Sequence, residues 1–114
     1  MSFAKPFMAA ALLWALTAPA QAFTGKCLLN VDGKNYLNGP CNIDMIDKDG
    51  SFTIGASDTS RSPYFAYVVV TSPGVAEASW NRDPKSTHAH STLGIMKRQG
   101  ACWVNENARV CAMK

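Results

Sequence analysis

From residue 23 onward, short apolar stretches alternate with polar turns, and no window carries a helical period long enough for a stable helix. Turn-forming groups recur roughly every 8–15 residues. They are Asp32-Gly33, Lys48-Asp49-Gly50, Ser72-Pro73-Gly74 and Gln99-Gly100. Between them the chain favours β-branched and aromatic residues. Tyr64–Thr71 is apolar at nearly every position, which predicts a central strand covered on both faces. Val75–Asn81 should run back against it. Ile43–Asp47 and Ser51–Gly55 should pair across Lys48-Asp49-Gly50. Thr92–Arg98 should lead through Gln99-Gly100 into a last hairpin. The pattern predicts an all-β domain, a small antiparallel sandwich or barrel of about eight strands.

The first residues follow a different pattern. Lys5 precedes an apolar run, Phe7–Leu16, and then Ala20-Gln21-Ala22 places small side chains at the end. This predicts a cleavable secretory signal over 1–22, with cleavage after Ala22 and a mature domain over 23–114. The apolar run is shorter than the ~20 residues a bilayer span needs. The short, Ala-rich signal looks bacterial, which points to the periplasm or the medium.

Four cysteines, Cys27, Cys41, Cys102 and Cys111, follow that signal. An even count in an exported short chain implies disulfides. A two-residue turn at Glu106-Asn107 would set Cys102 directly opposite Cys111, at Cβ distances of about 4.5–5.5 Å, so Cys102–Cys111 is one predicted bond. Cys27–Cys41 is then the other. Strict pairing about Asp32-Gly33 puts Asn38 opposite Cys27, so the chain must bend back at Asn38-Gly39-Pro40 to bring Cys41 home. Each loop of roughly 10–15 residues is worth on the order of 3 kcal/mol by chain entropy. The two hairpins echo each other: Gly25-Lys-Cys27-Leu-Leu-Asn30 and Gly100-Ala-Cys102-Trp-Val-Asn105.

Charge narrows the function. The formal net charge is +3 with both signs scattered, unlike the dense basic stripe of a nucleic-acid binder. Asp47-Lys48-Asp49-Gly50 has the look of a calcium loop, but Gly50 in the glycine position puts Met45 and Ala56 where ligands belong. It reads as a turn. His88-Ala89-His90 places two imidazoles on one side of an extended segment, as a Zn²⁺ or Cu²⁺ pair would require. Asp83 or a carbonyl is a candidate third ligand. No other cofactor is implied. Ser86 or Ser91 with Asp83 and the histidines makes a hydrolase triad on paper, but no Gly-x-Ser-x-Gly elbow frames either serine.

The chain therefore reads as a non-enzymatic binding module. Its rim would be the polar stretches Asp58–Pro63 and Asn81–His90, with Arg61, Tyr64, Arg82, Lys85, His88 and His90 as contact residues. Lys97, Arg98, Arg109 and Lys114 form a second basic group around Trp103, with Arg98 and Arg109 as its contact residues. Trp80, Tyr64 and Tyr67 read first as core. In size, export, cysteine use and all-β build, the chain resembles the small periplasmic lysozyme inhibitors of Gram-negative bacteria. That resemblance is of layout, not of motif. It implies a protein partner, a cell-wall hydrolase or toxin, met by a loop with Ser, Gly and Tyr. The nearest segment here is Arg61-Ser62-Pro63-Tyr64, which lacks the Gly.

Overall fold

A computed structural model describes residues 22–114. The predicted signal, save Ala22, lies outside the described residues. Eight strands run in chain order: β1 (Ala22–Val31), β2 (Lys34–Met45), β3 (Phe52–Ile54), β4 (Ala66–Ser72), β5 (Val75–Trp80), β6 (Ser91–Gln99), β7 (Cys102–Val104) and β8 (Ala108–Met113). Each pairs antiparallel with the next, and β8 returns to β1, so the sheet closes into a barrel. Closure settles the choice between sandwich and barrel. Leu29 of β1 faces Leu37 on one side and Val110 on the other.

Closure dictates what fills the inside. An eight-stranded barrel is just wide enough for side chains to pack its interior. Alternate residues point inward, and Leu29, Ile43, Ile54, Val68, Met96 and Val110 are almost wholly buried. Ala66, Ala76 and Ala78 on β4 and β5 are equally buried and offset the bulk of Trp80 and Trp103. Two covered faces were expected for the strand at 64–71. Instead β4 has one: Ala66 and Val68 are buried, while Tyr67 and Val69 are 37% and 42% exposed. A barrel wall has one inner face per strand, and among the described residues no second layer covers β4 from outside. Tyr67 accordingly stands on the outer wall and not in the core.

A second difference lies in β2. The expected bend at Asn38-Gly39-Pro40 is absent, and β2 runs unbroken from Lys34 to Met45. An irregularity next to Leu29 and Asn30 gives β2 an extra residue, Tyr36, so that Leu28 faces Asn38 and Cys27 faces Gly39. A bulge of this kind shifts the register by one and re-aims a side chain. Cys41 then faces Gly25, and the Cys27–Cys41 bond forms on the diagonal, with Cα atoms 5.9 Å apart. Pro40 is tolerated because β3 pairs only with Ile43–Met45, which leaves that edge of β2 free.

The Cys102–Cys111 bond joins directly opposed residues whose Cα atoms are 4.0 Å apart. The next pair, Trp103 and Val110, points into the barrel, so by alternation this bond lies on the other face of the wall, where Cys111 is nevertheless covered and only 1% exposed. Cys27 and Cys41 are buried with the inward residues. The echo between the two hairpin sequences therefore does not extend to geometry. Asn105 shapes the second hairpin: its Oδ1 accepts from the amides of Asn107 and Ala108, and its Nδ2 donates to the Leu93 and Ile95 carbonyls. The turn falls at Glu106-Asn107, as the spacing predicts.

Gly25 is the tightest point of the wall. A Cβ there would overlap the Met113 carbonyl oxygen of β8 and lie 2.6 Å from Ile43 Cδ1. The carbonyl belongs to the sheet and has little room to move. We expect Gly25→Ala to lower stability by about 2–3 kcal/mol, in the range of overpacking, as a shift of the urea midpoint. A midpoint equal to wild type would show that β1 and β8 are not held this closely.

Candidate functional site

An up-and-down barrel sends alternate connections to opposite ends. The β1–β2 turn, the long β3–β4 and β5–β6 connections and the β7–β8 turn leave at one end. Both predicted rim stretches are on this end, because Asp58–Pro63 lies between β3 and β4 and Asn81–His90 between β5 and β6. The hairpin tips are linked by the Asp32 amide, which donates to the Asn107 carbonyl at 2.8 Å.

Asn81 brings the two loops together. It is 1% exposed and follows directly on Trp80. Its Oδ1 accepts from the Phe65 amide at 2.7 Å, and its Nδ2 donates to the Pro63 carbonyl at 2.8 Å. The same Nδ2 reaches the Ser86 carbonyl at 3.4 Å in its own loop. One buried amide thus closes three main-chain groups that a loop cannot satisfy by itself.

Each loop is also braced internally. Asp58 Oδ1 accepts from the Ser60 amide, and Asp83 Oδ1 from the Lys85 amide, both at 2.9 Å. The Ser62 hydroxyl accepts from the Tyr64 amide and donates to the Tyr36 carbonyl. Between the loops lies a groove of about 350 Å³. Thr59 and Pro63 form one side, Lys85 and Thr87 the other, with Phe65 and Tyr67 beneath.

The aromatic residues divide. Tyr64 is half-buried, and its ring lies 5.0 Å from Tyr36 and 6.0 Å from Trp80 between centroids. Tyr36 stands 4.6 Å from Trp80, turned over it by the bulge in β2. These three rings plug the loop end. Among the described residues the Trp80 indole N–H has no hydrogen-bond acceptor, which fits a ring surrounded by other rings. Arg61-Ser62-Pro63-Tyr64 is consequently tied down at its Tyr end and is not a free-standing projection.

Arg61, Arg82 and Lys85 are exposed on the rim, as are His88 and His90. The two imidazole centroids are 5.2 Å apart, and Thr87 Oγ1 bonds His88 Nδ1 at 3.0 Å. They lie in the loop just before β6, beside Tyr67 and Ser79 on the outer wall. Among the described residues no group of three or more His, Cys, Asp or Glu gathers to hold a metal. The Ser86 hydroxyl exchanges hydrogen bonds with the main chain of His88, not with its ring. Asp83 is engaged by Lys85 and not by a histidine.

The second basic group does not form a patch with the first. Arg98 is opposite Trp103, at the far end of the barrel, while Arg109 is on the outer wall and donates to Gln99 Oε1 at 3.3 Å. Asp47, at that far end, accepts from the Asp49 and Ser51 amides, which confirms the turn. Sequence patterns missed Asn81, Tyr36 and Asn105. Only Asn81 carried a signal: a polar residue ending an apolar strand.

Compared with protein-family models, with characterised proteins and with solved structures, the chain matches none. The two disulfides fit an oxidising compartment. Among the described residues no helix is long and apolar enough to cross a membrane.

Removing the Asn81 amide leaves buried amide and carbonyl groups unsatisfied, at about 1–3 kcal/mol each. We expect Asn81→Ala to cost roughly 3 kcal/mol in urea unfolding and to speed amide exchange at Phe65 and Ser86. Unchanged exchange at both would show that the loops are held by other contacts.

The two capping carboxylates make stability depend on acid. Asp47 is held below its ordinary 3.8 by the Ser51 hydroxyl and amide, and Asp58 below 3.8 by the Ser60 hydroxyl and amide. A lowered folded value means the carboxylate form supports the fold. That support is complete above the ordinary value and is lost as pH falls below it. We expect the urea midpoint to drop between about pH 5 and about pH 2, and to drop less in Asp47→Asn/Asp58→Asn. Equal slopes in the two proteins would refute this origin.

Proposed function

We propose that this protein is a non-enzymatic binding module that acts outside the cytoplasm by stoichiometric contact with another protein, a cell-wall hydrolase or a toxin. The observation that carries this reading is the pair of polar loops clasped by Asn81 around a groove at one end of a stapled barrel. Loops already fixed by hydrogen bonds lose little conformational freedom on binding. A rigid scaffold presenting polar loops is the usual build of a recognition surface. Arg61, Arg82 and Lys85 outnumber Asp58 and Asp83 on the two loops, a small positive excess that favours an acidic face around the partner's cleft. The export signal and the disulfides suit the periplasm or the medium.

A second reading rests on the histidine pair. Two imidazoles 5.2 Å apart and exposed to solvent are suited to share a Zn²⁺ or Cu²⁺ ion. Metal would then be the cargo, or would bridge the rim to its partner.

The test uses the oxidised protein as bait against envelope extract, and as an equimolar additive to a panel of lysozymes and related hydrolases, with and without a chelator. A stoichiometric complex that survives the chelator is expected. Arg61→Glu/Arg82→Glu/Lys85→Glu should weaken it at least ~10-fold, mainly through the association rate. Full hydrolase activity together with no captured partner would sink the binding module. A complex or metal load that the chelator removes, and that His88→Ala/His90→Ala abolishes, would transfer the assignment to metal binding.

A further inference from the structure

The two ends of the barrel are built differently. The loop end is plugged by Tyr36, Tyr64 and Trp80. Among the described residues the other end carries only the tight β4–β5 and β6–β7 turns, the β2–β3 turn, the start of β1 and the end of β8. Arg98 and Trp103 stand opposite each other there, and together they line two hollows, of about 550 Å³ and about 280 Å³. The larger has Asp49 on its wall. The smaller is walled by Phe23, Met45 and Phe52 over Trp103, with Arg98 and Lys114 as its cations and no Asp or Glu.

Arg98 is placed to meet a ligand. Its main-chain amide is spent on the Gly74 carbonyl. Its Nε donates to the Gly100 carbonyl at 3.2 Å, which fixes the base of the guanidinium. Among the described residues its two terminal amino groups make no hydrogen bond. They form the edge that recognises a carboxylate bidentately. Lys114 adds a second positive charge above the Phe23 ring, 5.6 Å from its centroid. An aromatic-walled hollow at a barrel mouth with a few convergent polar groups is the usual form of a small-molecule site, and ~280 Å³ is near the lower end of that range.

The geometry points to a binding site for an anionic amphiphile at this end of the barrel: a carboxylate on Arg98, with its apolar body against Phe23, Met45, Phe52 and Trp103. The site is independent of the loop rim, which lies at the opposite end. A protein partner on the rim and a small anion here are therefore separable.

The probe pair is decanoate, below its micellar concentration, and decan-1-ol, which has the same body without the charge. In calorimetric titration of the full protein, decanoate should bind well above decanol. Arg98→Gln should weaken decanoate about 10-fold, the effect of losing one charge-assisted pair, and change decanol less than about 2-fold. In ¹H–¹⁵N spectra the Trp103 indole peak should move on titration while the Trp80 peak stays still. A charge-preserving Arg98→Lys, which lacks the bidentate edge and the Nε bond to Gly100, should recover only part of the affinity. Absence of decanoate binding, an equal loss for both probes in Arg98→Gln, or movement of the Trp80 peak in place of Trp103 would overturn the site. None of these outcomes bears on whether the rim binds a protein.

Discussion

β1 pairs with β2 along one edge and with β8 along the other, and the rest of the structure depends on that double pairing. Once the sheet is closed, each strand has one face toward a narrow interior and one toward solvent. The interior is finite, so large residues such as Trp80, Met96 and Trp103 require small neighbours, and Ala66, Ala76 and Ala78 supply them. Closure also gives every strand a neighbour on both sides and leaves little open edge, such as that of β2 around Pro40, which is how a short β domain avoids pairing with other chains. Gly25 lies where closure is tightest, between a β8 carbonyl and Ile43. The two staples reinforce this wall from opposite faces, Cys27–Cys41 on the inward face and Cys102–Cys111 on the outward one, where Cys111 is still covered.

A closed meander also sorts the connections. Both long ones leave from the end that carries Trp80, together with two tight hairpin turns, and only turns leave from the end that carries Trp103. Long polar loops bring main-chain groups that must be satisfied, and Asn81 does this for both loops at once. The cost of the arrangement is a buried amide. Its return is a rim with fixed shape. At the other end, among the described residues, the connections are short turns, and hollows remain beside Arg98 and Trp103. The two ends are thus chemically distinct for a topological reason.

Much of the strand pattern was legible because strand periodicity and turn chemistry are local. The Glu106-Asn107 turn set the Cys102–Cys111 register, since a two-residue turn leaves no freedom in which residues face each other. The same argument failed on β2 by one residue. A bulge at Tyr36 adds a position that no local rule announces, and Asn38 was therefore expected opposite Cys27 where Gly39 stands. The pairing of cysteines survived because a diagonal neighbour is also within reach of a disulfide. Tyr64–Thr71 misled in another way. Its composition suits a strand buried on both faces, but the number of faces covered is a property of the layers around a strand. Of the candidate contacts, the rim loops did converge, whereas Arg98 and Arg109 separated, because residues eleven apart on different strands share a face only if the sheet places them so.

By itself, the sequence determined the all-β class, the positions of most turns and both disulfides, because each depends on residues near one another along the chain or on a small number of possible pairings. Only the tertiary structure decided that the sheet closes, that Tyr36 turns over Trp80, that Asn81 clasps two loops and that Arg98 stands beside Trp103 at a barrel mouth. Those features join residues many positions apart. Their energies come from packing and hydrogen bonds that exist only when the barrel has formed, so no local pattern encodes them.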